Sequence, residues 1–284
     1  LGVYITFRLL DFADLTVDGS IATGAAVSVM LIRAGVSPIA TLPIAFLAGA
    51  LAGMVTGLLN TALGIPGILA SILTQISLYS INLNIMGKAN QPVSVDNYPL
   101  VVSLRYVTDG SVSRLLFFLG MIVFLLALIA VMYWYFGTEQ GHAIRATGCN
   151  GNMARAQGIN TNFIKVLALM ISNGLVGLCG ALYGQFQGAS DVNMGRGAIV
   201  IGLAAVIIGE VLFGKFASKR KLAFAFTLAS VILGAVIYYM VYQFVLWLKM
   251  PSEDMKLFSA IVVAIFLAIP YLKEKRTLRK GASK

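Results

Sequence analysis

The sequence predicts an all-α polytopic membrane protein with roughly 8–10 helices, some of them short or re-entrant. Two observations support this fold class. Of the 284 residues, 59% are hydrophobic and 11% are charged, whereas soluble domains carry about 25% charged residues. Apolar runs of about 20 residues, the length that spans a bilayer, also recur along the chain. A chain this apolar has too little polar surface to cover a soluble core, so we expect it in a lipid bilayer.

Six apolar runs are long enough to be membrane spans. Three shorter runs cover residues 1–10, 19–32 and 197–213, and the last two begin beside polar, glycine-containing segments. We expect these two to be half-helices that line a cavity, because irregular backbone at membrane depth needs protein or water around it. Since the chain opens at Leu1 in apolar sequence, we expect a truncated first helix. The long runs are 38–63, 68–86, 115–136, 163–186, 222–248 and 257–272.

Lysine and arginine counts predict the orientation of the spans. The tail 273–284 holds six Lys/Arg and the loop 214–221 holds four, so we expect both, and the C-terminus, to be cytoplasmic. The loops 87–113 and 249–256 have no such excess and are expected outside. Alternation then places residues 139–160 in the cytoplasm. A basic tail this short indicates topology rather than nucleic-acid binding.

The polar segment 139–160 predicts two short helices. We expect a helix over 139–146, a break over 148–151, and a second helix over 152–157 that Gly158 ends as a C-terminal cap. An ordinary cytoplasmic loop accounts for the basic charge but not for this helix–turn–helix pattern. The pattern therefore favours a docking surface, to which Glu139, Arg145 and Arg155 contribute charge and to which Ala146 and Ala154 contribute slim helix faces.

Polar residues within the apolar runs predict a solute pathway. Ser71, Gln75, Tyr79 and Asn82 share one face of the run 68–86. Amides at membrane depth need partners, so this stripe is either a conduit wall or a set of interhelical hydrogen bonds, and the sequence leaves both open.

Carboxylates inside apolar sequence add further candidates. Glu210 lies within the run 197–213 and is either functional or half of an ion pair with Lys215. Asp14, Thr16 and Asp18 lie at the junction of two apolar runs. We interpret this junction as a break that lines the conduit, with Asp18 capping the helix that begins at Gly19.

Other residues restrict the function class. Cys149 and Cys179 form neither a disulfide framework nor a metal-ligand pattern, and His142 is the only histidine. No phosphate-binding GxxxxGK[ST] loop is present, so we expect no ATP hydrolysis on this chain and no enzymatic activity. Glycines spaced by four, at Gly49, Gly53 and Gly57 and at Gly180 and Gly184, favour close helix packing within one subunit.

The chain resembles the permease subunit of bacterial ABC importers of the ribose/branched-chain amino acid class. Asp14-Leu-Thr-Val-Asp-Gly19 is similar to that family's Asp-Leu-Ser-Val-Gly signature, although Asp18 intervenes before the glycine. Gly141-His-Ala-Ile-Arg-Ala-Thr-Gly148 and Ala154-Arg-Ala-Gln-Gly-Ile159 resemble its cytoplasmic coupling segment. The stretch from Gly195 to Gly209 resembles its late re-entrant helix, and the Gly-Glu-Val-Leu ending looks closest to a subgroup associated with tryptophan or tyrosine uptake.

This resemblance implies a single permease domain over 1–284 in the bacterial cell membrane, and it implies partners. A second permease copy, forming a homodimer, would pair with ATP-binding subunits that hold ATP and Mg, and an extracellular substrate-binding protein would deliver the solute. On the sequence alone, the loop 87–113 is either a docking surface for that binding protein or an ordinary connector. The family's coupling contacts map to Gly141, Arg145, Ala146, Gly148, Ala154 and Gly158. We then expect a bulky residue at Gly148 or Ala154 to abolish transport while the permease stays folded.

Two other classes compete with this interpretation. An ion-coupled secondary transporter would also contain half-helices and intramembrane carboxylates. It would need an ion or proton relay, for which Glu210 is the only acid deep in a predicted span, and it would not need a docking helix. A membrane-embedded enzyme lacks the required Cys/His/Asp constellation in this sequence.

Overall fold

The computed structural model describes residues 1–94, 98, 100–103, 114–217 and 223–247, with the single positions 261, 264 and 268. Its contacts form two compact units, Gly2–Ile199 and Val200–Lys284, which we describe separately. The predicted all-α membrane fold is confirmed, since helices dominate both units and the described residues contain only one small sheet. The single permease domain over 1–284 stays a prediction, and the basic tail 273–284 lies outside the described residues.

The described residues of the first unit form eight α-helices and two short strands. A short helix α1 opens it and continues as a π-helical stretch over Ile5–Leu9. The elements are α1 (Gly2–Tyr4), α2 (Thr16–Arg33), α3 (Pro38–Thr61), α4 (Gly67–Met86), β1 (Asn90–Pro92), α5 (Arg114–Phe136), α6 (Glu139–Cys149), α7 (Gly151–Ala156), α8 (Thr161–Gln187) and β2 (Ala189–Asp191).

Within the part of the chain that the structure describes, five helices are long and apolar enough to cross a membrane, and they confirm five of the six long spans. Four of them are α3, α4, α5 and α8, and the fifth is α10 (Ala223–Trp247) of the second unit. The sixth predicted span, 257–272, lies outside the described residues apart from positions 261, 264 and 268.

The two predicted half-helices are longer than the sequence indicated. Helix α2 begins at Thr16 rather than Gly19, because the Asp14 carboxylate accepts the Thr16 N–H at 3.0 Å and starts the helix there. It packs against α3, α4 and α8, and most of its residues are buried. The second, α9 (Ala198–Ala217), continues four residues past the predicted end. The break that the sequence predicts at the junction of Asp14, Thr16 and Asp18 is therefore confined to the residues before Thr16.

Glycines bring α3 and α8 into backbone contact. A Cβ built on Gly49 would meet the Asn173 carbonyl, and one on Gly53 would meet the Leu169 carbonyl. Small residues allow such approach where lipid gives helices no hydrophobic reason to associate. The prediction that the Gly49–Gly53 face packs within one subunit is confirmed.

A two-stranded antiparallel sheet joins the C-terminal ends of α4 and α8, with Gln91 opposite Ser190. Arg33, the last residue of α2, donates a hydrogen bond to the Gln91 side chain. We call this the sheet end of the unit. Helix α8 has 27 residues, so its two ends lie about 40 Å apart. The short helices α6 and α7 precede its other end.

The second unit contains α9 from Val200 onward and the whole of α10. A Cβ on Gly209 would meet the Ser230 carbonyl, and one on Gly234 would meet the Ala205 carbonyl, so the two helices pack backbone to backbone. Glu210 lies on α9 in this unit and is partly buried. Its predicted ion pair with Lys215 stays a prediction.

Candidate solute cavity and coupling surface

A cavity of about 300 Å³ lies between α2, α4 and the turn that follows β2. Pockets of about 300–1,000 Å³ hold small organic ligands. Four of the predicted conduit residues lie together in its wall. The lining residues are Asp18, Gly19, Gln75, Ile76, Tyr79, Ser80, Asn82, Val192, Asn193 and Arg196.

Helix α4 presents its lining residues at the edge of its buried face. Thr74 and Leu78 are buried toward the rest of the unit, whereas Tyr79 is 44% exposed. A Cβ on Gly19 would lie 2.8 Å from the Leu78 side chain and 3.4 Å from the Gln75 backbone, so the bare glycine lets α2 approach α4 here. The cavity therefore begins where two closely packed helices separate.

Asp18 connects this cavity to the start of α9. Its carboxylate oxygens accept the N–H groups of Gly197 and Ile199, each at 2.9 Å. A carboxylate at a helix N-terminus satisfies exposed N–H groups and suits the helix dipole. The prediction that Asp18 caps the helix beginning at Gly19 is wrong: Asp18 lies in the first turn of α2 and caps α9, a partner 179 residues away in sequence.

Several polar groups around the cavity have no protein partner among the described residues. The amide oxygen of Asn82 is buried and accepts no hydrogen bond there, and the whole residue is only 1% exposed. The side chains of Gln75, Tyr79 and Arg196 likewise make no hydrogen bond or ion pair with the described part of the chain. Buried polar groups in folded proteins are nearly always paired, so the Asn82 oxygen is suited to accept a hydrogen bond from a polar solute or water. Tyr79 and Arg196 are exposed and Gln75 is half-buried, so their polar groups are accessible to the same solute.

Asp14 and Thr16 lie in a closed network rather than in the cavity wall. The Asn173 amide of α8 donates to the Asp14 carboxylate at 2.7 Å, and the Ser20 hydroxyl donates to the Asn173 amide oxygen at 2.7 Å. The Thr16 hydroxyl shares a 2.7 Å hydrogen bond with Thr56 of α3. These buried bonds tie α2 to α3 and α8.

Two other predicted conduit residues are not among the residues that line the cavity. The Ser71 hydroxyl is buried and donates to the Ile68 carbonyl of its own helix at 2.8 Å. Glu210 belongs to the second unit. The conduit roles of Ser71, Glu210, Asp14 and Thr16 therefore stay predictions without support from the cavity geometry.

Helices α6 and α7 form the predicted helix–turn–helix, with a narrower break. Thr138 caps α6, and its hydroxyl lies 3.5 Å from the Gly141 nitrogen that donates to it. Helix α6 continues through Gly148 to Cys149, so the predicted break over 148–151 is wrong. Asn150 alone interrupts the pair: its backbone is extended and its side chain accepts the Met153 N–H at 3.0 Å to cap α7. Gly158, with φ +85°, follows α7 as predicted.

The small residues of this segment pack against their own chain. Gly141 and Ala154 are buried, and a Cβ on Gly148 would meet the Leu9 carbonyl. Their small size allows internal packing rather than contact with a partner. The expectation that a bulky residue at Gly148 leaves the permease folded is therefore corrected, because such a residue would displace the backbone at Leu9.

The exposed face of α6 and α7 contains residues that the sequence reasoning missed. Met153 is 61% exposed, and His142 and Cys149 are also exposed. The helical period could have found them, since burial at Gly141 and Ile144 places His142 and Cys149 on the opposite face. We call the exposed set the coupling surface: Glu139, His142, Ala146, Cys149, Met153, Arg155 and Gly158.

Arg145 and Arg155 have distinct surroundings. The Arg145 guanidinium lies 5.8 Å from the centre of the Phe136 ring, where α5 ends. The Arg155 guanidinium donates to the Thr161 hydroxyl at 3.0 and 3.3 Å, and Thr161 is the first residue of α8. Arg155 thus links α7 directly to α8.

Comparison with known proteins adds to this geometry. Residues 1–270 match the family described as branched-chain amino acid transport system / permease component. The chain is 40% identical over 268 residues to the tyrosine transport system permease protein of Clostridioides difficile, covering 94% of this chain and 85% of that protein.

More distant relatives are also transport permeases. An inner membrane ABC transporter permease protein of Escherichia coli is 26% identical over 214 residues, covering 75% of this chain and 63% of that protein. An autoinducer 2 import system permease protein of Yersinia pseudotuberculosis is 28% identical over 238 residues, covering 82% and 62%. No solved structure matches the chain.

Proposed function

Since this chain belongs to the permease-component family of branched-chain amino acid transport systems, we propose that it forms the solute conduit of an ATP-driven importer. The chain is a multi-pass membrane permease of an ABC-type transport system. The proposed small solute is an amino acid, and an aromatic one is favoured because the relative that is 40% identical bears the name of a tyrosine transport permease. An extracellular binding protein delivers it, and a separate ATP-binding subunit holds ATP and Mg.

The coupling surface is the observation that carries this proposal. A transport permease driven by a separate ATPase needs a rigid, exposed element that is linked to its spans. Helices α6 and α7 are capped at both starts, and buried Ile144 anchors α6 to the unit. The Arg155–Thr161 hydrogen bonds then join this element to α8, whose middle carries Asn173. A displacement of α7 would therefore be transmitted to α8 through the Arg155–Thr161 hydrogen bonds.

The sidedness of the protein follows from this assignment. Docking of an ATP-binding subunit puts the coupling surface in the cytoplasm, as the charge counts predict. The sheet end then faces outward, where the loop 87–113 would receive the binding protein. The structure describes only residues 87–94, 98 and 100–103 of that loop. A cytoplasmic C-terminus remains part of this proposal.

We place a second permease copy over the cavity side of α4. Gln75, Tyr79 and Asn82 are polar groups on a membrane-length helix and cannot face lipid at low cost. Protein on the other side, with water between, would shield them. A homodimer with the two α4 helices facing a shared conduit meets this requirement.

A pair of matched tryptophan substitutions tests the coupling role. Ala146→Trp enlarges an exposed residue of the coupling surface, whereas Ala89→Trp enlarges an exposed residue at the sheet end. Each variant is purified in mild detergent together with the proteins encoded beside it, and the ATP-binding subunit is quantified by mass spectrometry. We expect the wild type and Ala89→Trp to retain the subunit near one-to-one and Ala146→Trp to lose it.

Uptake into proteoliposomes then tests the energy source. ATP-dependent uptake that stops when the ATP-binding subunit is omitted supports the importer. Uptake by the isolated permease, driven by an ion gradient and without any ATPase, would instead favour a secondary transporter and contradict this proposal.

A further inference from the structure

Asn82 has a buried acceptor with nothing in the described part of the chain to satisfy it. Its amide oxygen accepts no hydrogen bond there, and the residue is 1% exposed while lining the cavity. The next amide on the same helix, Asn84, is exposed and donates to the Ser80 carbonyl at 3.0 Å. Native folds rarely leave a buried acceptor unsatisfied, so the Asn82 site is built for a donor from outside the protein.

Arg196 supplies the opposite chemistry on the other wall of the same cavity. Its backbone N–H donates to the Asn193 carbonyl at 3.0 Å, which fixes the turn after β2. Its guanidinium makes no ion pair or hydrogen bond with the described residues. A guanidinium offers several N–H donors in a planar fork that matches a carboxylate.

Asp18 adds a carboxylate to the wall of the cavity that Asn82 also lines. Its two oxygens are already held by the N–H groups of Gly197 and Ile199, so the carboxylate cannot swing away. Each carboxylate oxygen has a second lone pair that accepts another donor. The cavity thus contains an acceptor pair, Asp18 and Asn82, and a donor fork, Arg196.

We propose that the permease itself contains a solute-binding site, in which Asn82 and Asp18 receive the ammonium group of an α-amino acid and Arg196 receives its carboxylate. Tyr79 and Ile76 line the same cavity and offer an amphipathic and an apolar surface to the side chain of the solute. The inference rests on the proposed function and goes beyond it. In an importer, the binding protein alone can determine which solute is transported. With this site, the permease also recognises both charged groups of the solute.

The test uses the complex of permease and ATP-binding subunit in lipid nanodiscs, without the binding protein. Binding of L-tyrosine is compared with binding of tyramine, which lacks the carboxylate, and of 3-(4-hydroxyphenyl)propionate, which lacks the ammonium group. We expect the wild type to bind tyrosine about tenfold or more tightly than either analogue. Equal binding of the three compounds would overturn the proposal.

Variants then assign each group. We expect Arg196→Gln to lose the preference over tyramine and keep that over the propionate, and Asn82→Leu to weaken the preference over the propionate and keep that over tyramine. The matched control Asn84→Leu keeps both preferences. If Arg196→Gln and Asn82→Leu bind as the wild type does, the site is wrong.

Thermal melting of the same complexes separates binding from folding. Replacing an unsatisfied acceptor with an apolar side chain of similar size is neutral or stabilising, so the midpoint of Asn82→Leu should not fall. A clear fall would mean that Asn82 holds the fold, and would overturn its role as a ligand group. ATP-driven uptake by the wild type tests the importer separately. Uptake together with equal binding of tyrosine and its two analogues overturns only the site, whereas a preference for tyrosine without any ATP-driven uptake overturns only the importer.

Discussion

Asp14 and Asp18 lie four residues apart in the sequence, yet they have opposite kinds of surroundings. Around Asp14, each polar side chain of α2, α3 and α8 finds a partner in the same unit, with Asn173 bonded to both Asp14 and Ser20. Around Asp18, the neighbouring Asn82 and Arg196 have no partner among the described residues. The first region is a closed network that fixes helix positions. The second is an open wall that presents unused donors and acceptors.

We expect this difference to separate effects on stability from effects on transport within one short segment. A closed network loses free energy of folding when any member is removed, because its partners stay buried and unpaired. An open wall loses little, since its groups contribute few bonds to the folded state. Substitutions at matched positions can therefore break or sharpen the contrast.

The largest effect on stability is expected for Asp14→Ala. The change leaves the buried Asn173 amide with only the Leu169 carbonyl as acceptor and leaves the Thr16 N–H without its acceptor. We expect the free energy of unfolding to fall by about 3 kcal/mol, with reduced yield of folded permease. Thermal melting of the purified complex measures this, and a midpoint equal to that of the wild type would mean that the network does not hold the helices.

Asp18→Ala is expected to lose more transport than stability. The variant removes the cap of α9, which costs about 1 kcal/mol, and removes the fixed charge from the cavity. We expect ATP-driven uptake to fall about tenfold while the complex still assembles, since one hydrogen bond to a charged group is of that size. Asp18→Asn is the control: uptake restored by this neutral cap would show that the cap matters and the charge does not.

Thr56→Val and Gln75→Leu compare one member of each region without changing any charge. Thr56 bonds to Thr16 and to Thr74, so we expect Thr56→Val to lower the free energy of unfolding by about 1 kcal/mol and leave the uptake per folded complex unchanged. Gln75 has no described partner, so Gln75→Leu should leave the melting midpoint unchanged and lower uptake. The reverse assignment of the two effects would contradict the distinction between the regions.

Tyr79→Phe is the smallest test. The hydroxyl makes no hydrogen bond with the described residues, and the ring is 44% exposed at the cavity. We expect no change in stability and about a threefold change at most in the apparent KM for uptake, which corresponds to a weak contact. A loss of folded protein would show that the hydroxyl has a structural role.

The sequence could predict the spans and the exposed charge, but not that Asp14 lies in a buried network while Asp18 lines a cavity. Hydropathy located α3, α4, α5, α8 and α10 because span length is a local property. The partner of Asp14 is 159 residues away and that of Asp18 is 179 residues away. No periodicity within residues 11–20 contains that information, so both carboxylates were expected in the conduit.

The coupling segment shows the same limit at shorter range. Its capped helices follow from Thr138, Asn150 and Gly158, whose side chains or backbone determine local structure. Whether Gly148 faces a partner or Leu9 depends on the path of the chain's first residues, which local pattern does not specify. Helical phase at Ile144 would have indicated which side of α6 is buried.

Because α8 is long, a small tilt of this helix displaces its far end by several ångströms. One end is bonded to α7 through Arg155, and the other leads through β2 into the turn that carries Asn193 and Arg196. Over about 40 Å, a tilt of about 5° displaces the far end by about 3.5 Å, which is more than a hydrogen-bond length. If an ATP-binding subunit docks on the coupling surface and a solute binds at Asn82, as we propose, a small rotation of α8 would be enough to move the Arg196 guanidinium out of reach of that solute.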